Sequence, residues 1–206
     1  MTALPTDTRR RCTLAEYLEF EETAPTKHEF HNGEILAMSG ASPEHALITA
    51  NVLRALGNRL EGKPCRVYSS DLKIALTPEG DVQYPDGSVI CGPLEFHPAD
   101  PKHRLVTNPR LIFEVLSPTT EGYDRGEKFP LYRALPSFEE YVLISQTAPL
   151  IETFVRQPDG RFIIAATYAG LSAVAALTSL QIQVPLSDIY AGVTFPEHPT
   201  HPAFDE

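Results

Sequence analysis

The chain has 206 residues, 42% of them hydrophobic and 21% charged, enough for one sizeable core and short for two. No apolar run reaches the roughly 20 residues of a membrane helix, and no signal core follows the basic N-terminal stretch, so a cytoplasmic protein without a membrane partner is expected. A net charge of −10 counts against tight nucleic-acid binding by the surface as a whole, while leaving room for a local cleft or for acids that hold a cation.

In chain order, "TLAEYLEFEE" opens with Thr13 and Glu16, a capping box that starts a short amphipathic helix. In "KHEFHNGEILAMSG" the pair Asn32-Gly33 predicts a hairpin with strands around 27–31 and 34–39. "SPEHALITANVLRALGNRLEG" predicts a helix with Ser42 as N-cap, Pro43 at its first position and Gly62 as its stop. Leu47, Ile48, Val52, Leu56 and Leu60 should share its apolar face. The period then changes to two, and "CRVYSSDLKIAL", "VQYPDGSVIC", "RLIFEVLS" and "EYVLISQ" read as strands. A Pro-rich loop separates the second from the third. "PTTEGYDRGEKFPLYRALPS" has the length of a crossover, so the last two should be parallel neighbours. "PLIETFVRQPDGRFIIAATYAG" predicts a hairpin turning at Asp159-Gly160, and "LQIQVPLSDIY" a last apolar segment. One α/β domain over 13–192 is expected, with flexible tails at 1–12 and 193–206. Cys12, Cys65 and Cys91 form no paired motif and read as reduced thiols, neither a zinc site nor a disulfide framework.

Two apolar strands each carry one acid: Asp86 in "PDGSVI" and Glu114 in "RLIFEVLSP". A carboxylate buried without a partner is costly. On neighbouring strands the two would offer hard oxygen ligands to a magnesium-type ion, which takes one or two carboxylates and completes its shell with water and phosphate. Two acids that merely end strands, or a salt-bridged acid, would give the same spacing.

Pro-Asp on one strand and Glu on an apolar strand after it resembles the PD-(D/E)XK nuclease superfamily. The ordered set "HEFHNGEILAMSGASPEHALITANVLRAL", "PDGSVI" and "FEVLSPTTEGYDRGEKFPLYRALPSFEEYVLIS" is similar to its Uma-type branch of restriction endonuclease-like proteins, over roughly residues 13 to 192. The resemblance implies a restriction-endonuclease-like core, a central mixed β-sheet flanked by α-helices, with an N-terminal helix and hairpin. It implies a metal-dependent endonuclease that hydrolyses DNA through a metal-activated water. Mg2+, with Mn2+ as substitute, would be held by Asp86, Glu114 and the backbone carbonyl of Val115. It also implies a homodimer. The superfamily's lysine two residues after the glutamate is absent, since Leu116 stands there. In the Uma-type branch the lysine is on the following helix, and Lys128 in "DRGEK" matches it. The strand runs about three residues past Glu114 at roughly 3.3 Å each before the crossover turns back, which returns Lys128 to the level of the acid. Pro130 then either kinks that helix or begins it just after Lys128.

Glu34 and His45 match the family's upstream acid and histidine. Each also has a plainer reading, Glu34 as the residue after a turn and His45 as a polar residue in a helix's first turn. Asp71-Leu72-Lys73 imitates the missing motif but precedes the Pro-Asp strand, and its two side chains could simply pair in solvent. Asp124 and Tyr132 read as cap and packing residues. Besides the endonuclease stand a catalytically relict nucleic-acid or protein-binding module on the same fold and a two-carboxylate glycosidase. The absence of tryptophan weighs against the glycosidase.

Overall fold

The computed structural model describes residues 11–38, 40–77 and 80–195. Helix α1 (Leu14–Thr23) starts at the Thr13–Glu16 capping box, with both reciprocal bonds made. Strands β1 (His28–His31) and β2 (Glu34–Ala37) form the hairpin at Asn32-Gly33, both with positive φ, as a two-residue turn of this kind requires. Helix α2 (Pro43–Arg59) has Ser42 as its side-chain cap, and Gly62 at φ +73 follows its end.

The first two of the four alternating stretches each divide in two. β3 (Cys65–Ser69) is followed by β4 (Lys73–Ala75), and β5 (Val82–Gln83) by β6 (Gly87–Cys91). In each case the first and second halves belong to different sheets. Then come β7 (Leu105–Val106), β8 (Leu111–Leu116), α3 (Glu121–Tyr123), a π-helical turn (Asp124–Lys128) and α4 (Phe129–Tyr132). β9 (Glu140–Ser145), β10 (Leu150–Arg156), β11 (Phe162–Ala169), β12 (Val174–Leu177), β13 (Ile182–Pro185) and α5 (Leu186–Ile189) complete the described chain.

The main sheet has the order β11-β10-β9-β8-β6-β3 and a second sheet the order β2-β1-β5-β4-β7, with β12 and β13 a separate pair. In the main sheet β8 and β9 are parallel, as the crossover length predicts, and the other pairs are antiparallel. The fold is therefore α/β with a mixed central sheet. β8 is buried along its whole length, and alternation divides it between two cores. Leu111, Phe113 and Val115 pack with Ile48, Val52 and Leu56 of α2, and Ile112 and Leu116 with Tyr132, Phe138 and Tyr141. Gly87 has no room for a side chain, since a Cβ there would lie 2.3 Å from the buried Phe113 ring. This close approach fixes where the chain delivers the residue before it, Asp86.

Two expectations change. Leu47 is 38% exposed, and Asn51 takes a place on the buried face instead, donating to the Ile189 and Ala191 carbonyls at 3.0 and 2.9 Å. Cys65 and Cys91 are disulfide-bonded rather than reduced, because the antiparallel register of β3 and β6 sets them directly opposite each other despite a separation of 26 residues. Cys12 takes no part in that bond. The tails expected at 1–12 and 193–206 lie for the most part outside the described residues.

Candidate active site

Register brings the two acids together. Gly87 pairs with Phe113, so the next step outward sets Asp86 beside Glu114 at the end of the β6–β8 ladder. The Asp86 N–H donates to Glu114 Oε2 at 2.9 Å, and the Val115 N–H donates to Asp86 Oδ2 at 2.7 Å. Each acid is thus latched to the other's strand. The same Asp86 oxygen lies 3.1 Å from His45 Nε2. His45 stands in the first turn of α2, where its own N–H caps onto Ser42. Asp86 and His45 keep 21% and 15% of their side chains exposed against 2% for Glu114, so they form the mouth and Glu114 the floor.

Lys128 closes the floor. Its Nζ lies 3.3 Å from Glu114 Oε1, 3.4 Å from Glu29 Oε1 and 3.2 Å from Asp124 Oδ1. The Tyr132 hydroxyl donates to Glu114 Oε1 at 2.8 Å. Lys128 ends the π-helical turn, and Pro130 follows in the first turn of α4. A widened i→i+5 turn just ahead of a proline relieves the clash its ring would make in a regular helix, so the helix bears Pro130 and still turns Asp124 and Lys128 inward. Glu29 arrives from β1, held by the Tyr123 hydroxyl at 3.0 Å and, with its amide turned to donate, by Gln83 at 3.1 Å.

Four carboxylates, Asp86, Glu114, Glu29 and Asp124, therefore surround one ammonium and one imidazole. Burial pushes the Glu114 carboxyl up to about 8; Lys128 opposes this, while Asp86 and Asp124 add to it. Burial alone would lower Lys128, but Glu114, Glu29 and Asp124 outweigh it and hold the amine charged, well above its ordinary range. His45 is likewise raised: burial lowers it and the Asp86 carboxylate more than compensates.

Of the residues singled out by sequence, Asp86, Glu114, Val115, Lys128 and His45 meet here. Glu34 does not: it pairs with His31 at the start of β2, and no described contact joins it to the cluster. The acid supplied by this hairpin is Glu29, 6% exposed. Asp124 and Tyr132, expected as cap and packing residues, both touch the ionic centre. The imitation motif is elsewhere, with Asp71 ion-paired to Lys27 and Lys73 over the Tyr84 ring, 5.6 Å from its centroid.

Among the described residues no three or more His, Cys, Asp or Glu side chains are arranged to hold a metal by themselves. That excludes a cage of the zinc type and fits a magnesium-type ion, which needs only one or two carboxylates beside carbonyl and water oxygens. The formal surplus of carboxylates over cationic groups is of the sign such an ion would balance.

The fold recurs in a solved structure. A crystal structure of "a putative nuclease belonging to DUF820" from Anabaena variabilis matches 87% of this chain and 97% of its own, with a TM-score of 0.67 at 14% identity. The fold is restriction-endonuclease-like. The profile of the Uma2 family, described as "Putative restriction endonuclease", matches residues 14–187, and the chain belongs to that family. Two relatives from Synechocystis sp. bear the names "Uncharacterized protein slr1290" and "Uncharacterized protein sll1609". The first is 37% identical over 180 residues, covering 87% of this chain and 92% of its own. The second is 36% identical over 157 residues, covering 76% and 88%.

Proposed function

We propose that the chain is a metal-dependent endonuclease that hydrolyses DNA phosphodiester bonds, with Asp86, Glu114 and the Val115 carbonyl as the protein ligands of a Mg2+ ion that Mn2+ can replace. The observation that carries this reading is the contact of Lys128 with Glu114, which restores an acid–lysine pair where the chain itself has Leu116. A bound magnesium ion would supply Lewis-acid charge and a water of lowered pKa. The residues do the rest. Lys128 faces the developing negative charge of the phosphoryl centre and orients the nucleophile. Glu29 and Asp124 act through Lys128, holding it charged and aimed. His45, at the mouth and in the first turn of α2, meets a phosphate where helix N–H groups favour an anion.

Supercoiled plasmid incubated with the protein and Mg2+ or Mn2+ is expected to become nicked or linear, and Glu114→Gln is expected to leave it intact. Plasmid that survives every metal, pH and DNA form, or a variant that cuts like the parent, would overturn the reading. One observation favours a relict binding module instead. The Glu114 oxygens already accept from the Asp86 amide, Tyr132 and Lys128, and burial favours the protonated acid. Calorimetry separates the two, since a relict site would take up neither Mg2+ nor Mn2+.

A further inference from the structure

The main sheet has two edges, and the β11 edge is of an unusual kind. From Phe162 to Ser187 the chain has no charged residue and no histidine, where 21% of those 26 residues would be about five. Four of the seven exposed large hydrophobic side chains among the described residues, Ile163, Ile164, Leu171 and Val174, fall in this run. β11 pairs with β10 on one side only, so its other side offers unpaired main-chain N–H and C=O groups. Edge strands are normally blunted by a lysine, an inward charge or a proline, and β11 has none of these. Its one irregularity is the extra residue Ala165, opposite the step between Thr153 and Phe154. That bulge bends the strand without making it polar, so apolar side chains rather than a full-length ladder would supply most of the contact.

We propose that β11, with the segment leading into β12, is the surface on which a second copy of this chain docks, the two β11 strands running antiparallel about a two-fold axis. Charge selects the occupant. Each copy carries −10, so two copies repel wherever their acidic surfaces meet, and a charge-free flank is where that repulsion is least. A two-fold pairing needs only self-complementarity, which an uncharged strand satisfies without any matching of signs. Nucleic acid is not the occupant, because the run offers no cation for phosphate. The chain's own C-terminal "FPEHPTHPAFDE" suits the edge poorly, since Pro196, Pro199 and Pro202 lack the donors that pairing needs.

Light scattering of the full chain at micromolar concentration should give about twice 22.8 kDa. Ile164→Lys and Val174→Lys, each at an exposed position, should bring the mass to that of one chain while circular dichroism stays that of the parent. Leu36→Lys, exposed on the other sheet, should leave the dimer intact. A parent that is monomeric, β11-side variants that remain dimeric, or a Leu36→Lys protein that dissociates with them would each overturn the assignment. None of these outcomes bears on whether the site cuts a phosphodiester, so this surface and the proposed nuclease site stand or fall separately.

Discussion

The Lys128 centre and the β11 flank treat charge in opposite ways. Around Lys128, Glu29, Glu114 and Asp124 are buried against a single ammonium, with Asp86 beside them at the mouth. Along β11 to β13 there is no charge at all, yet large apolar side chains face solvent. A buried ion cluster is weak evidence for stability, because desolvation takes back much of the Coulombic gain. An exposed apolar edge is equally poor value for a monomer. Both regions depart from what folding alone would select, and such departures are expected where a protein meets something else, which we propose to be a cation and a phosphate in one case and another copy in the other.

The harshest way to break the comparison is to remove the cation that holds the acids together. Lys128→Ala should abolish cleavage, at a barrier cost of roughly 3 kcal/mol or more. It should also lower metal-free stability at neutral pH by about 3–5 kcal/mol, because Glu29, Glu114 and Asp124 lose their shared partner. Adding Glu114→Gln should return part of that stability in a denaturant titration. If Lys128→Ala melts like the parent, the ammonium is not holding this cluster.

Acidity sharpens the same contrast. The folded Glu114 carboxyl titrates near 8, above an ordinary carboxylate, so the folded state binds the extra proton between the two values. Metal-free stability should therefore be greatest on the acid side of that window and fall as pH rises through it, by at most about 1.4 kcal/mol per pH unit for one proton. His45, also raised, has the same sign, its stabilising charge fading as pH rises past its folded value. Glu114→Gln should flatten the slope of melting temperature against pH, and a variant that keeps the full slope would mean that another group carries it.

Backbone packing gives a smaller effect. Gly87→Ala sets a methyl against the Phe113 ring and should cost about 1–3 kcal/mol. It should weaken Mg2+ uptake in calorimetry as well, since Asp86 moves with the strand; unchanged affinity would show that the latch does not depend on this approach. Least of all should happen at Lys73→Ala, which removes a contact over the Tyr84 ring worth about 1 kcal/mol. Plasmid should be cut at the parent rate, and a dead variant would move the lysine of the site to β4.

Much of this was legible in the sequence where local chemistry decides. Ser42-Pro43 and Gly62 bracket α2, Asn32-Gly33 sets the hairpin, and the crossover length makes β8 and β9 parallel. Asp86, Glu114 and Lys128 were picked out by the resemblance to the family's ordered motifs, since spacing alone left the two acids open to a plainer reading. The remaining partners depend on which face of an element looks inward, and a local pattern does not carry that. Alternation in "HEFH" puts Glu29 and Phe30 on opposite faces without saying which faces the lysine. Asp124 lies four residues before Lys128 and so shares its helix face, but which face of that turn looks inward is set by the packing around it and not by the local pattern. Period two likewise ran past Ser70 and Pro85, where the chain leaves one sheet for another. The disulfide was hidden for a related reason, because cross-strand register rather than sequence distance made neighbours of Cys65 and Cys91.

The strand order of the main sheet has a consequence for the spacing of cuts. Three steps separate β8 from the β11 edge, so two copies joined at β11 hold their Glu114 strands seven steps apart, roughly 34 Å at about 4.8 Å per step. A turn of duplex DNA measures about the same, some ten base pairs. An assembly of this kind would reach two phosphates on successive turns of a duplex rather than a close pair across a groove. Its fragments would carry nicks or long overhangs, and the length of those overhangs would act as a ruler for the sheet.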